Sequence, residues 1–191
     1  MAVVHPYRTT EARWFHRGTV PDAVRAWFDA LGPVPEPESR ADRYLTPVSD
    51  ALSVKLREGR VEAKRLDGAA GRLRVGRAAA GLSAWSKWSL GLAEAVEVAG
   101  PWITVEKTRR QRERSADGAT CSLELAEVEV AGAAWWSVCL EAAGPRAEAR
   151  RTVLLEAAGE WLGRDDAPAL PAEAAVGYPA WLRALDPADA S

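Results

Sequence analysis

The chain has 191 residues and a hydrophobic fraction of 48%, which favours one packed globular domain. Its 25 basic and 27 acidic side chains give a formal net charge of -2, which argues against a surface built to bind nucleic acid or membranes. Two cysteines and two histidines exclude a structural zinc pattern, and without an apolar leader or spanning segment we expect a cytoplasmic protein with reduced thiols.

The first predicted elements are a strand, a helix and a loop. The strand lies in EARWFHRG and ends at Gly18. TVPDAVRAWFDALG then predicts a helix with an apolar face made by Val24, Trp27, Phe28 and Leu31. The Pro- and Glu-containing stretch PVPEPES follows as a loop.

Short strand patterns fill the middle of the chain. DRYLTP predicts a short strand, and LSVKLREGRVEAKRL predicts a β-hairpin that turns at Glu58 and Gly59. Further strand patterns are GRLRVGR, LSAWSKWSL, WITVEKTRRQRER, CSLELAEVEV and AWWSVCLEAAG. Their short connections indicate a mostly antiparallel sheet of roughly eight strands.

The last part of the chain changes from strand to helix periodicity. RAEARRTVLLEAAGEWLG predicts an amphipathic helix that ends near Gly163. We therefore assign residues 1–165 to the domain and residues 166–191 to an extended C-terminal tail that docks on it. In this tail Tyr178, Trp181, Leu182 and Leu185 are the candidates for a docking element.

Charged residues alternate with apolar ones along the predicted strands. Residues two apart share one face of a strand, so Lys55 lies on the same face as Arg57, and Glu62 on the same face as Lys64. The same rule groups Thr104, Glu106, Thr108, Arg110 and Arg112 on one strand, and Ser122, Glu124 and Ala126 on another. A sheet with one solvated face would explain this pattern. If the two helices cover the apolar faces, however, the charged faces point into a barrel, where polyphosphates and divalent cations find suitable partners.

The order of these segments resembles a known family. EARW, ADRYLTPVSDALSVKLREG, VEAKRL, VEKTRRQRE, LELAEVEV and VCLEAAG follow one another as in the CYTH domain of the triphosphate tunnel metalloenzyme superfamily. The resemblance runs from about Glu11 to Leu162. It implies an α+β fold in which an eight-stranded antiparallel β-barrel with flanking helices encloses a tunnel. It also implies binding of a triphosphate or another small phosphorylated anion, and its hydrolysis with Mg or Mn.

The resemblance also implies roles for individual residues. The phosphate-binding candidates are Lys55, Arg57, Lys64, Lys87, Lys107, Arg109 and Arg110. The metal candidates are Glu11, Glu124 and Glu141, and further tunnel-lining candidates are Arg13, Tyr44, Glu62 and Glu106. Alternation does not allow Lys107, Arg109 and Arg110 all to point inward. The sequence departs from the family at Arg13, where an acidic residue is expected, and at Cys139, where the last strand loses one of two carboxylates.

Two alternative functions stay open at this point. The loss of acidic residues favours a non-catalytic module that kept the barrel and its phosphate-binding cations. A protein-interaction β-barrel would instead use exposed tryptophans, with Trp85, Trp88 and Trp181 as candidates. The basic side chains could also form internal salt bridges with Glu62, Glu106 or Glu124. No nucleic-acid or membrane partner is expected, and the sequence is compatible with a monomer or a homodimer.

Overall fold

The computed structural model describes residues 6–91 and 100–185, and in them eight antiparallel strands close into a barrel. The strands are β1 (Tyr7–Arg17), β2 (Glu38–Leu45), β3 (Leu52–Arg57), β4 (Arg60–Val75), β5 (Ala78–Gly91), β6 (Trp102–Ala116), β7 (Ala119–Val130) and β8 (Ala133–Ala143). The helices are α1 (Asp22–Asp29), α2 (Ala147–Leu162) and α3 (Tyr178–Ala184), with a 3₁₀ turn at Ala172–Ala174. Around the barrel the strands follow the order β1-β5-β4-β3-β2-β6-β7-β8, and β8 pairs with β1 to close it.

Tight turns connect several neighbouring strands. Glu58 and Gly59, which join β3 to β4, both have positive φ angles, of 47° and 71°. Two central residues with positive φ match the right-handed twist of a hairpin, and glycine adopts this conformation without a steric penalty. The hairpin turn predicted at this position is confirmed, with Leu56 paired to Val61 on either side of it.

The outer face of the barrel packs against α1 and α2. Trp27 and Phe28 of α1 and Leu154 of α2 are almost fully buried in one hydrophobic cluster. That cluster also takes in the outward-facing side chains of β7 and β8, including Leu123 and Leu140. Because side chains alternate along a strand, covering this face with helices directs the opposite face into the barrel.

Two details of the predicted elements are different in the structure. GRLRVGR is not a separate strand, because it continues β4 past irregularities beside Gly68 and Gly71, whose φ angles are 143° and 118°. The prediction of exposed tryptophans is wrong for Trp85 and Trp181, each of which is only 3% exposed. Both rings pack inside the fold instead.

The C-terminal segment after α2 becomes part of the barrel. The backbone N–H of Ala79 donates a hydrogen bond to the carbonyl of Leu170, at 2.9 Å, and the N–H of Val176 donates one to the carbonyl of Arg13, at 2.8 Å. The segment therefore lies along β1 beyond Glu11, where the pairing of β1 with β5 ends.

Among the described residues, no helix combines the length and apolar content needed to cross a bilayer.

Helix α3 closes one end of the barrel interior. Its residues Tyr178, Trp181 and Leu182 are buried in a second hydrophobic cluster with inward-facing side chains of four strands. The strand residues of this cluster are Phe15, Tyr44, Val105, Ala126, Val128 and Val130, with Ile103 and Trp135 packed against it. The barrel interior is therefore apolar at this end, and polar side chains are confined to the remainder.

Candidate functional site: a charged pocket inside the barrel

The barrel interior contains a pocket of about 360 Å³. Helix α3 contributes Tyr178 to the pocket wall at the closed end, which we call the inner end. At the opposite, outer end the side chains are partly exposed, and Tyr7 is 56% exposed. The pocket is thus a chamber whose outer end is the one in contact with water.

Most of the residues predicted to bind phosphate lie together in this pocket. Six of the seven line it: Lys55, Arg57, Lys64, Lys87, Lys107 and Arg109. Arg13, Tyr44, Glu62, Glu124 and Glu141 line it as well. Glu11 lies in the same interior, 3% exposed, where Lys64 donates a hydrogen bond to its Oε2 and Arg13 pairs with its Oε1 at 3.4 Å.

Arg110 and Glu106 are corrections to the sequence prediction. Lys107 and Arg109 point inward from β6, so alternation directs Arg110 and Glu106 outward. Arg110 lies 3.8 Å from Asp29 of α1, and Glu106 is exposed. The inward face of β6 carries the apolar residue Val105 at the inner end. Because the sequence prediction grouped the residues of this strand by their charge, it selected the outward face instead of the inward one.

The inner cluster, which we define as Arg13, Lys107 and Glu124, lies deepest among the charged groups. Lys107 Nζ donates a hydrogen bond to Glu124 Oε1 at 2.6 Å, and Arg13 donates one to the same oxygen at 2.8 Å. Arg109 reaches the other oxygen of Glu124 at 3.3 Å. One buried carboxylate therefore contacts three cations.

Burial and charge shift the pKa values of the inner cluster in different ways. Burial lowers the pKa of Lys107 to about 8, although Glu124 opposes that shift. Burial would raise the pKa of Glu124, but Lys107 and Arg13 outweigh it and hold that pKa well below its usual range. Glu124 is therefore ionised at neutral pH, whereas Lys107 loses its proton within the accessible range.

Glu11 and Glu141 each have a lysine partner. They are register partners on β1 and β8, and Lys87 Nζ lies 2.6 Å from both carboxylate oxygens of Glu141. Burial by itself would lower the pKa of Lys87, but Glu141 and Glu11 raise it. Lys64, the partner of Glu11, has a lowered pKa because its burial outweighs the attraction of that carboxylate.

Strands β2, β3 and β4 supply a further chain of ion pairs. Lys55 Nζ lies 2.9 Å from Asp42 Oδ2 and 3.3 Å from Glu62 Oε2. Arg57 contacts the second oxygen of Glu62 at 3.0 Å, and Arg40 lies 3.4 Å from Asp42. One alternative left open by the sequence was that the basic side chains form internal salt bridges with carboxylates. Glu62 and Glu124 form such salt bridges here.

Several pocket residues were not selected from the sequence. Arg40 and Asp42 lie on the inward face of β2 together with Tyr44, and the same alternation would have found them. Gln111 and Ser122 extend the inward faces of β6 and β7. Tyr178 was expected only to dock on the domain, and its place in the pocket had no comparable signal, because its helix reaches the pocket only through tertiary folding.

The predicted metal ligands do not form a metal site as the side chains are arranged here. Within residues 6–91 and 100–185, no group of three or more His, Cys, Asp or Glu side chains is placed to hold a metal ion. Glu11, Glu124 and Glu141 are instead each paired with a lysine. Mg in phosphate-binding sites takes one or two carboxylates together with ligand phosphates and water, so each of these glutamates would first have to exchange its lysine partner for the cation.

Comparisons with known proteins assign no family to the chain. No model of a known protein family matches it, and no curated protein matches it. Its function therefore has to be argued from the pocket.

Proposed function

We propose that the barrel interior binds a small phosphorylated anion, for which inorganic triphosphate is the simplest representative. The observation that carries this proposal is the charge inside the barrel. Eight basic side chains line the pocket, and five carboxylates line it or are buried beside it. The cations are Arg13, Arg40, Lys55, Arg57, Lys64, Lys87, Lys107 and Arg109; the carboxylates are Glu11, Asp42, Glu62, Glu124 and Glu141. Glu38, which is about half exposed, pairs with Arg109 at 2.8 Å and with Arg40 at 3.0 Å, and a polyanion would offset the excess of positive charge that remains.

The type of cation also supports a phosphorylated ligand. Arginine presents a planar set of N–H donors that matches phosphoryl oxygens, and lysine acts as a compact point charge. Arg13, Arg40, Arg57 and Arg109 reach the pocket from four different strands. A ligand with oxygens on several sides can therefore contact more than one wall of the barrel at once.

A bound anion would take the place of carboxylates in existing ion pairs, because the basic side chains of the pocket already have partners. At the outer end Glu62 and Glu141 neutralise Arg57 and Lys87. These side chains are between 21% and 27% exposed, so water can solvate the carboxylates when a phosphate group takes their place. We therefore expect affinity to depend on ionic strength and on the charge of the ligand.

The proposal includes a divergent CYTH-like relationship and does not require a metal. The motif order and the charged barrel interior support the relationship. Metal-dependent hydrolysis of the bound anion, and a cytoplasmic location, stay predictions. Because the three predicted metal ligands are paired with lysines, we favour the non-catalytic module over the hydrolase.

Isothermal titration with inorganic triphosphate, with and without Mn, tests the proposal directly. We expect binding without Mn, and no metal-dependent release of phosphate from the same sample. Metal-dependent release would instead establish the hydrolase. No heat with triphosphate, pyrophosphate or orthophosphate would overturn the proposal and favour the protein-interaction β-barrel.

Adjacent arginines on β6 provide a matched pair of variants. Arg109 lines the pocket and Arg110 points outward, so Arg109→Gln and Arg110→Gln remove the same charge from opposite faces. We expect Arg109→Gln to weaken triphosphate binding by about tenfold to a hundredfold, the range for a lost hydrogen bond to a charged group. Arg110→Gln should bind like the unmodified protein. Equal losses in both variants would place the binding site outside the barrel.

A further inference from the structure

A tyrosine of the C-terminal helix lies at the inner end of the pocket with its ring held on three sides. Tyr178 stacks on Tyr44 with ring centroids 5.1 Å apart and an interplanar angle of 6°. Its edge contacts are with Phe15 at 5.1 Å and Trp181 at 5.4 Å. These contacts determine where the ring lies, and the ring is part of the pocket wall.

The hydroxyl of Tyr178 has an unused hydrogen-bonding capacity. The residue is 7% exposed, and among the described residues its oxygen has no hydrogen-bond partner. Buried hydroxyl groups are nearly always hydrogen-bonded, because leaving one unpaired costs free energy. Tyr178 lines the pocket, so a ligand that displaces the close neighbours of this buried hydroxyl can supply the missing partner.

The charged groups beside the Tyr178 ring bear on the chemistry of that partner. The guanidinium carbon of Arg13 lies 5.1 Å from the centroid of the Tyr178 ring, and Lys107 Nζ lies 5.9 Å from it. The carboxylates of Glu124 and Asp42 also act on this phenol and raise its pKa, so a negatively charged hydrogen-bond acceptor is favoured where it takes the place of these carboxylates beside the two cations. Burial raises the pKa of Tyr178, so its hydroxyl keeps its proton and acts as the donor.

We propose that the Tyr178 hydroxyl is a ligand-binding group that donates a hydrogen bond to the innermost oxygens of the bound anion. This inference rests on the proposed function, and it assigns to the C-terminal segment a direct part in affinity. The segment that carries Tyr178 is held in place by the backbone hydrogen bond from Val176 to Arg13. One end of the anion is thus recognised by a residue from the last helix of the described chain.

Tyr178→Phe removes only the hydroxyl, and Thr9→Val is the matched control. Thr9 is fully buried, its hydroxyl also has no partner among the described residues, and it does not line the pocket. We expect Tyr178→Phe to weaken binding of inorganic triphosphate by about tenfold, the lower limit for a hydrogen bond to a charged group. Thr9→Val should leave the affinity unchanged within about twofold.

Thermal denaturation separates ligand binding from a structural role. Because the hydroxyl has no partner among the described residues, Tyr178→Phe should leave the Tm measured without ligand unchanged or raise it. The rise in Tm caused by saturating triphosphate should nevertheless be smaller in Tyr178→Phe than in the unmodified protein. A lower Tm without ligand, together with an unchanged affinity, would show a structural role and overturn the inference.

The remaining outcomes distinguish this inference from the proposed function. If the unmodified protein and Tyr178→Phe bind triphosphate equally, the pocket binds anions but the hydroxyl does not contact them, and the inference alone is wrong. If the unmodified protein binds none of triphosphate, pyrophosphate and orthophosphate, both the proposed function and the inference are overturned.

Discussion

The inner and outer ends of the pocket contain the same kinds of charged side chain in different surroundings. In the inner cluster the side chains of Arg13, Lys107 and Glu124 are at most 8% exposed. In the outer pairs, Arg57 with Glu62 and Lys87 with Glu141, the exposed fraction is between 21% and 27%. Water screens the outer pairs and leaves the inner cluster in a low-dielectric environment.

This difference indicates two roles for similar residues. Removing one member of a buried group leaves its partners charged and unsolvated, which is costly, whereas water replaces a lost partner at the outer end. The inner cluster should therefore contribute strongly to stability, and the outer pairs should exchange readily with a ligand.

Removing the charge of Glu124 should have the largest effect on stability. Glu124→Gln leaves Arg13 and Lys107 buried without their shared carboxylate. We expect a loss of about 3–5 kcal/mol in the free energy of unfolding, measured by urea denaturation. Added triphosphate should restore part of this loss by supplying negative charge. Full stability without any anion would contradict the contrast between the two ends.

Raising the pH should stabilise the protein through Lys107. Its pKa is about 8 in the folded state against 10.5 in the unfolded chain, so between these values the unfolded state binds more protons. Stability from this group therefore rises as the pH increases from about 8 to 10.5, by an amount on the order of 3 kcal/mol. Arg13, Arg40 and Glu124, which face it, stay charged throughout this window.

Loss of the Lys107 proton should lower the affinity for triphosphate, although it raises the stability of the protein. Neutral Lys107 attracts an anion less than the charged form, so triphosphate binding should weaken as the pH rises through about 8. Urea denaturation and titration calorimetry at pH values below, within and above the window measure both effects. Lys107→Met should weaken both trends, and Lys55 and Lys64, whose pKa values are also lowered by burial, account for what remains. Trends of unchanged size in this variant would contradict the assignment to Lys107.

At the outer end, losing a cation should affect binding more than stability. Arg57→Gln breaks a partly exposed pair with Glu62, and water can solvate the remaining carboxylate. We expect the free energy of unfolding to change by less than about 1 kcal/mol, while triphosphate affinity falls severalfold and its salt dependence weakens. Titrations at two ionic strengths beside urea denaturation check this. A stability loss as large as that of Glu124→Gln would show that water does not screen the outer end.

The smallest effect is expected for the two thiols, which should not react at all. Cys139 lines the pocket beside the inner cluster and is 1% exposed, and Cys121 is fully buried. Burial raises the pKa of Cys121 to about 12 and that of Cys139 well above its usual value. A thiol reagent should therefore label neither cysteine in the native protein and both after denaturation. Rapid labelling of Cys139 in the native protein would show that solvent reaches the inner end.

Much of the fold could be predicted because it depends on local periodicity. The alternation in LSVKLREGRVEAKRL places Lys55, Arg57, Glu62 and Lys64 on common faces, and Glu58 with Gly59 favours a two-residue turn. The apolar spacing before Gly163 predicts α2, which ends at Leu162. These features follow from the backbone geometry of strands and helices over a few residues.

The choice of the inward face was left open by the sequence wherever both faces carry charge. Alternation shows that Lys107 and Arg109 share one face of β6 and that Arg110 lies on the other, but not which face is inside. The tertiary structure decides this, because α1 covers the Arg110 face and α3 packs on Val105. Packing against distant helices therefore determined which charges line the pocket.

The partners inside the pocket were likewise decided only by closure of the barrel. Arg13 and Glu124 form an ion pair at 2.8 Å although 111 residues separate them along the chain. Tyr178 reaches the inner end because its helix packs inside the barrel, and no local pattern contains that information. The amino-acid sequence by itself thus determined the strands, the turns and the alternating charge. The tertiary structure determined which charges meet and where the pocket ends, because contacts between distant segments depend on the whole fold.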